Sequence, residues 1–155
     1  MGSKKKSIVL LFTVVLAVAW FAACVKPKAG SAETRIDWQT GVPAALDASR
    51  LSGRPVLMAF TAEWCPWCKR MEDSTYSDKR VVEKMSAFVP LKIDVDMQKA
   101  VADRYGCNAQ KNGGVGIPNV LFLSSDGKKL KHVIGYRGAL AFAATLDSVS
   151  ALNRE

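Results

Sequence analysis

Two cysteines three positions apart, Cys65 and Cys68, are the residues of this chain whose type and spacing point most directly to chemistry. They lie in Trp64-Cys65-Pro66-Trp67-Cys68-Lys69, directly after Pro55-Val56-Leu57-Met58-Ala59-Phe60, an apolar run with the length and composition of a buried strand. Cys65 therefore falls at a strand-to-helix turn. Pro66 falls at the first helical position, where a missing N–H costs nothing. A thiol at that point faces unpaired backbone N–H groups and the positive end of the helix dipole, both of which favour thiolate. Cys68, one turn on, is close enough to close a disulfide with it. The chemistry such a pair serves is repeated oxidation and reduction of a dithiol.

Metal ligation is the competing use of a CxxC pair. A structural zinc site needs a second pair of ligands, and Cys107 and His132, which remain for that purpose, are far apart in sequence. A c-type haem needs His after the second cysteine, where Lys69 stands. No metal and no cofactor is therefore assigned. Cys107 is odd by parity and is expected to be a small buried residue at a helix end, with a third redox thiol as the alternative. His132 is expected to face solvent in a hairpin. Asn112-Gly113-Gly114-Val115-Gly116 has the glycines of a phosphate cradle, but no Lys-Ser/Thr follows and no helix begins there, so it reads as a flexible connection.

The elements that must position the pair follow from pattern. Val42 to Leu51 predicts a first helix with an apolar face of Ala44, Ala45, Leu46 and Ala48, ended by Ser52-Gly53-Arg54-Pro55. The strand through Phe60 comes next, then a helix from Cys65 to about Asp73. Ser77-Asp78 caps a further helix in which Val81, Val82, Met85 and Phe88 recur at helical spacing. Val89 to Val95 alternates as a half-buried strand, and Met97 to Tyr105 predicts a short helix closed by Gly106. Asn119 to Leu123 and Lys129 to Ile134 predict a hairpin turned at Ser125-Asp126-Gly127. Ala139 to Leu152 predicts a closing amphipathic helix. This order gives a mixed sheet with helices on both faces.

Three segments divide the chain: 1–25 as signal sequence or membrane anchor, 26–34 as a polar tether, and 35–155 as the globular domain. Lys4, Lys5 and Lys6 precede 18 residues, Ile8 to Val25, without a charge. That is long for a signal core and at the short end for a spanning helix. The run ends in Phe21-Ala22-Ala23-Cys24, which resembles the lipobox of bacterial lipoproteins. The resemblance implies lipidation of Cys24, and an uncleaved anchor or ordinary signal cleavage are the alternatives. The formal +8 comes from 22 Lys and Arg against 14 Asp and Glu; five of the 22 are lysines in residues 1–30, which hold no acid, so the rest carries 17 against 14. Nothing in that remainder clusters as a nucleic-acid patch, and no nucleic-acid partner is expected.

The element order, the block Ala62-Glu63-Trp64-Cys65-x-x-Cys68-Lys69 and the distal Gly116-Ile117-Pro118 resemble the thioredoxin superfamily, from about Trp38 to Leu152. Within it, Arg54 to Asp96 is most similar to the C-terminal periplasmic domain of transmembrane thiol:disulfide interchange (DsbD-type) proteins and to small exported thioredoxin-like proteins. The resemblance implies an α/β thioredoxin-like fold and a thiol:disulfide oxidoreductase. In it Cys65 attacks substrate sulfur, Cys68 resolves the mixed disulfide, and Pro118 is cis and faces the pair. Ile117 would offer backbone groups to a bound peptide, and Trp64, Pro66 and Trp67 would surround the sulfur. Where thioredoxin keeps an Asp beneath the site this chain has Ala59. Glu72, seven residues past Cys65 on roughly the same helical face, is the candidate supporting acid or base, with an exposed surface acid as the alternative reading. The segment Cys107 to Gly114 is an insertion before Pro118. Pro66-Trp67 stands where thioredoxin has Gly-Pro. The implied partners are protein thiols and disulfides and a membrane electron donor, on the extracytoplasmic side. Reduction of protein disulfides is the favoured direction, and oxidation or isomerisation is the alternative.

Overall fold

The computed structural model describes residues 35–108 and 116–153. The leader and tether read in residues 1–34, Cys24 among them, and most of the insertion before Pro118 lie outside the described residues.

Among the described residues nine elements follow in the expected order. They are α1 (Val42–Ser52), β1 (Val56–Thr61), α2 (Pro66–Ser74), α3 (Lys79–Met85), β2 (Val89–Asp94), α4 (Lys99–Arg104), β3 (Asn119–Leu123), β4 (Lys129–Ile134) and α5 (Ala139–Leu152). Gly53 ends α1 in the left-handed region at φ 70°, which only a residue without Cβ adopts at no cost, and its N–H donates to Ser49 O. Asp78 caps α3 by accepting from the Arg80 N–H at 3.0 Å. The expected helix from Met97 is shorter than its pattern. Asp94 Oδ1 accepts from the Asp96 and Met97 N–H groups at 2.9 and 3.0 Å, so the chain turns before it can coil and α4 begins at Lys99.

The sheet order is β2-β1-β3-β4, with β1 and β2 parallel and the other two pairings antiparallel. An isolated bridge from Gln39 to Leu91 extends the β2 edge, with Gln39 N–H on Pro90 O at 3.0 Å. β1 and β3, in the middle, are buried on both faces, which is why they read as continuous apolar runs. β2 alternates buried and half-buried residues.

Two apolar layers sandwich the sheet. One gathers Val56, Met58, Phe60, Leu91, Ile93 and Leu121 under Ala45 of α1 and Ala102 of α4. The other gathers Leu57, Val120, Phe122 and Val133 under Met85 of α3 and Phe142, Leu146 and Val149 of α5. Helix α2 serves both layers: Cys65 and Cys68 belong to the first and Met71 to the second. It follows the end of β1 and presents its N-terminus at the C-terminal end of that central strand. No helix among the described residues is long and apolar enough to cross a membrane.

Candidate active site

The chain leaves β1 at Thr61 and turns through residues 62–65 before α2 starts. Cys65 is the N-cap residue, with extended backbone (φ −87°, ψ 106°), and Pro66 opens the helix behind it. Cys65 and Cys68 are joined as a disulfide with Cα atoms 5.2 Å apart. Cys65 Sγ accepts the Cys68 N–H at 3.1 Å, so the sulfur occupies the place that a Ser or Asp oxygen takes at an ordinary N-cap. On reduction, the same N–H and the helix dipole favour charge on Cys65 Sγ. Both cysteines are nearly buried, and the half-buried Ile117 packs against their cluster.

Ile117-Pro118 is a cis peptide, as expected from the resemblance. Pro118 is buried at the entry of β3, and its carbonyl accepts the Gly135 N–H at 2.9 Å. The corner after β4 is thereby tied to the proline turn.

Around the sulfurs the two tryptophans are 57% and 52% exposed, so neither is core packing. Trp64 Nε1–H donates to Asp96 Oδ2 at 2.6 Å. Trp67 lies 5.7 Å from the Tyr136 ring, and Arg70 Cζ sits 5.3 Å from each of the two ring centroids. The Tyr136 phenol is bonded to Ser74 Oγ at 3.1 Å. That bond first, and the neighbouring Thr75 hydroxyl and Arg70 charge after it, hold the phenol pKa below its ordinary value.

Glu72 makes an ion pair with Lys92, Oε1 to Nζ 2.6 Å, and both side chains are partly exposed. Lys92 Nζ also stands 4.8 Å over the Trp38 ring. Lys92 is the β2 partner of Ala59, the position that lacks the expected Asp. A carboxylate therefore reaches the lysine beside Ala59 from α2 instead of from β1.

One expectation is overturned. His132 does not face solvent: it is half-buried on β4, with Nε2 3.0 Å from Asn119 Oδ1 and 3.6 Å from Cys107 Sγ. Asn119 Nδ2 donates to Gly116 O at 2.9 Å, which leaves its Oδ1 as acceptor and puts the hydrogen on His132 Nε2. The cause is register: His132 pairs with Leu121, whose side chain lies in the same apolar layer as Cys107, so the alternation of β4 turns His132 to that face and Val133 to the other. Burial, and secondarily the charge of Lys129, lower the His132 pKa. Cys107 is buried as expected, and burial raises its pKa. Sequence separation had set these two residues apart, and the fold brings them into contact. Among the described residues no three His, Cys, Asp or Glu side chains are grouped to hold a metal ion.

Residues 42–150 match the family model described as a thioredoxin-like domain. The chain belongs to the thioredoxin-like domain family. Thiol:disulfide interchange protein DsbD of Pectobacterium atrosepticum is 30% identical over 152 residues, covering 92% of this chain and 26% of that protein. DsbD of Campylobacter jejuni is 30% identical over 86 residues, 56% of this chain and 14% of that one. The chain thus spans about a quarter or less of these relatives. The reduced C-terminal domain of Neisseria meningitidis DsbD superposes with TM-score 0.55 at 27% identity, covering 68% of this chain and 91% of that one. A DsbH oxidoreductase superposes at TM-score 0.63 and 20% identity over 83% and 91%, a likeness of fold. Within this thioredoxin-like domain, Lys92, Asp96, Arg70 and Tyr136 were not legible as site residues. Lys92 sits at a polar position of an alternating strand, which reads as solvent-facing. Arg70, Asp96 and Tyr136 carry no motif.

Proposed function

We propose that this thioredoxin-like domain is an exported, membrane-tethered thiol:disulfide oxidoreductase that reduces extracytoplasmic protein disulfides. The observation that carries the reading is the Cys65–Cys68 disulfide at the N-terminus of α2, with Cys65 Sγ on the Cys68 N–H. In the reduced protein the Cys65 thiolate attacks one sulfur of a substrate disulfide. A Cys65–substrate bond forms and the other substrate sulfur leaves as thiolate, taking up a proton. Cys68 then loses its proton and attacks Cys65 Sγ, which expels the second substrate thiolate. Two electrons pass to the substrate, its two thiolates take up one proton from solvent and the one released by Cys68, and the disulfide seen here is the product. A dithiol donor must return it to the reduced state, and a membrane protein is the proposed donor.

Glu72 is the proposed acceptor of the Cys68 proton, acting from its pair with Lys92. Ile117 and Pro118, with Trp64, Pro66 and Trp67, are the proposed walls of the substrate groove. The apolar run before Cys24 is the proposed export signal and Cys24 the proposed lipid attachment point, so that the domain faces the extracytoplasmic side from a membrane.

Equilibration of the Cys65–Cys68 couple with glutathione tests the direction of electron flow. A potential near thioredoxin's ~−270 mV is expected, and a value near ~−120 mV would replace the reductase reading with an oxidase.

A further inference from the structure

Three features meet beside the disulfide. Trp67 stands between the two cysteines and leaves half of its surface in water, a large apolar exposure at a site where another surface can cover it. Tyr136 comes from the other side: the Gly135 N–H holds its corner to Pro118 O, and its ring meets Trp67. Arg70, one turn along α2, has its guanidinium carbon 5.3 Å from both rings. The platform thus bridges the helix side and the proline side of the sulfurs.

Its charge is unbalanced. Lys69, Arg70 and Arg137 are exposed, and none makes an ion pair with a carboxylate among the described residues. Elsewhere on the surface Arg50, Arg80, Lys84, Lys99 and Lys128 each have an acidic partner, while Arg54, Arg104, Lys129 and Lys131 have none among the described residues. What sets Arg70 apart is that its guanidinium is held against two rings beside the disulfide. Asp73, one turn from Arg70 on α2, makes no pair with it. A guanidinium flanked by aromatic rings keeps its planar fork of N–H donors for a carboxylate, and its side chain has little freedom left to lose on pairing.

We propose that Trp67, Arg70 and Tyr136 form a docking platform for an acidic segment of the substrate protein, with Arg70 pairing to a carboxylate close in sequence to the substrate cysteine. This rests on the thiol:disulfide exchange proposed above and names the substrate class of that site.

The test uses the full chain, purified in detergent and reduced, mixed in stopped flow with three disulfide-looped peptides of equal length. They differ only in the two residues before the first cysteine, which are glutamates, glutamines or lysines. The glutamate peptide is expected to react about tenfold faster than the lysine peptide at low ionic strength, with the ratio shrinking toward one at ~0.5 M salt. Arg70→Gln should reduce the ratio to about threefold or less, and Arg70→Glu should invert it. Equal rates for the three peptides on the wild-type chain overturn the inference and leave the exchange reading standing. Ratios unchanged in both Arg70 variants overturn the assignment to Arg70. Absence of exchange with any peptide overturns the reading beneath, and the inference with it. If Arg70→Glu alters only sedimentation, from dimer to monomer, the face joins two copies of the chain and the peptide proposal falls.

Discussion

Cys65 and Cys68 are chemically inequivalent although they share one disulfide. Only Cys65 Sγ accepts a helix N–H, and only Cys65 stands at the N-cap, where thiolate is stabilised. Cys68→Ser is therefore expected to accumulate mixed disulfides with protein substrates, visible on non-reducing gels, and Cys65→Ser is not. Equal trapping by both variants would reverse the roles. His132 carries a second expectation at this scale. Its folded pKa lies below the ordinary value near 6.5 because it is half-buried. On acidification the unfolded chain takes up the proton first, so stability is lost as pH falls from about 6.5 toward the folded pKa, and is fully present above that window. Urea unfolding at pH 7.5 and 5.5 should show a smaller drop in midpoint for His132→Gln than for the wild type. The Glu72–Lys92 pair is partly exposed, and a double-mutant cycle should give a coupling of only about 0.2–1 kcal/mol in stability. A functional role for Glu72 must then appear in the pH dependence of exchange by Glu72→Gln, where loss of a proton acceptor slows the Cys68 step.

At the scale of elements, β3 is the strand on which site and core both depend. It is paired on both edges and buried along its whole length, and Asn119 at its start follows Pro118. Phe122 is fully buried in the layer covered by α3 and α5 and meets Phe88 edge-on at 5.8 Å. Phe122→Ala is expected to cost about 3–5 kcal/mol in urea unfolding, through lost transfer energy and an unfilled cavity. That is a large part of the stability of a domain this size. Helix α2 shows why local signals were enough for the catalytic turn. A strand, an N-cap sulfur and a proline at N1 specify the turn within about fifteen residues, and the fold adds only the placement of Met71 in the opposite layer. Helix α4 shows the reverse, since a single Asp94 side chain outweighs two residues of helical periodicity.

At the scale of the whole molecule, the proposed tether predicts a covalent outcome. Mass spectrometry of membrane-extracted protein is expected to show a mature chain starting at Cys24 with added acyl mass. Retention of residues 1–23 would establish an uncleaved anchor instead, with the thioredoxin-like domain on the same side of the membrane.

The sequence by itself determined the fold class, the element order and the reactive pair. These are written in local patterns: period-two and period-3.6 apolar spacing, caps, turn glycines and a CxxC at a strand-to-helix junction. Only the tertiary structure decided what surrounds the pair. Lys92 faces Ala59 through strand pairing and finds Glu72 across from α2, 20 residues back in the chain. Tyr136 reaches Trp67, and His132 reaches Cys107 and Asn119, through the register of β4 on β3 and the corner that follows it. Contacts of that kind depend on which residues the sheet register brings face to face, and no spacing along one chain segment encodes the partner on another.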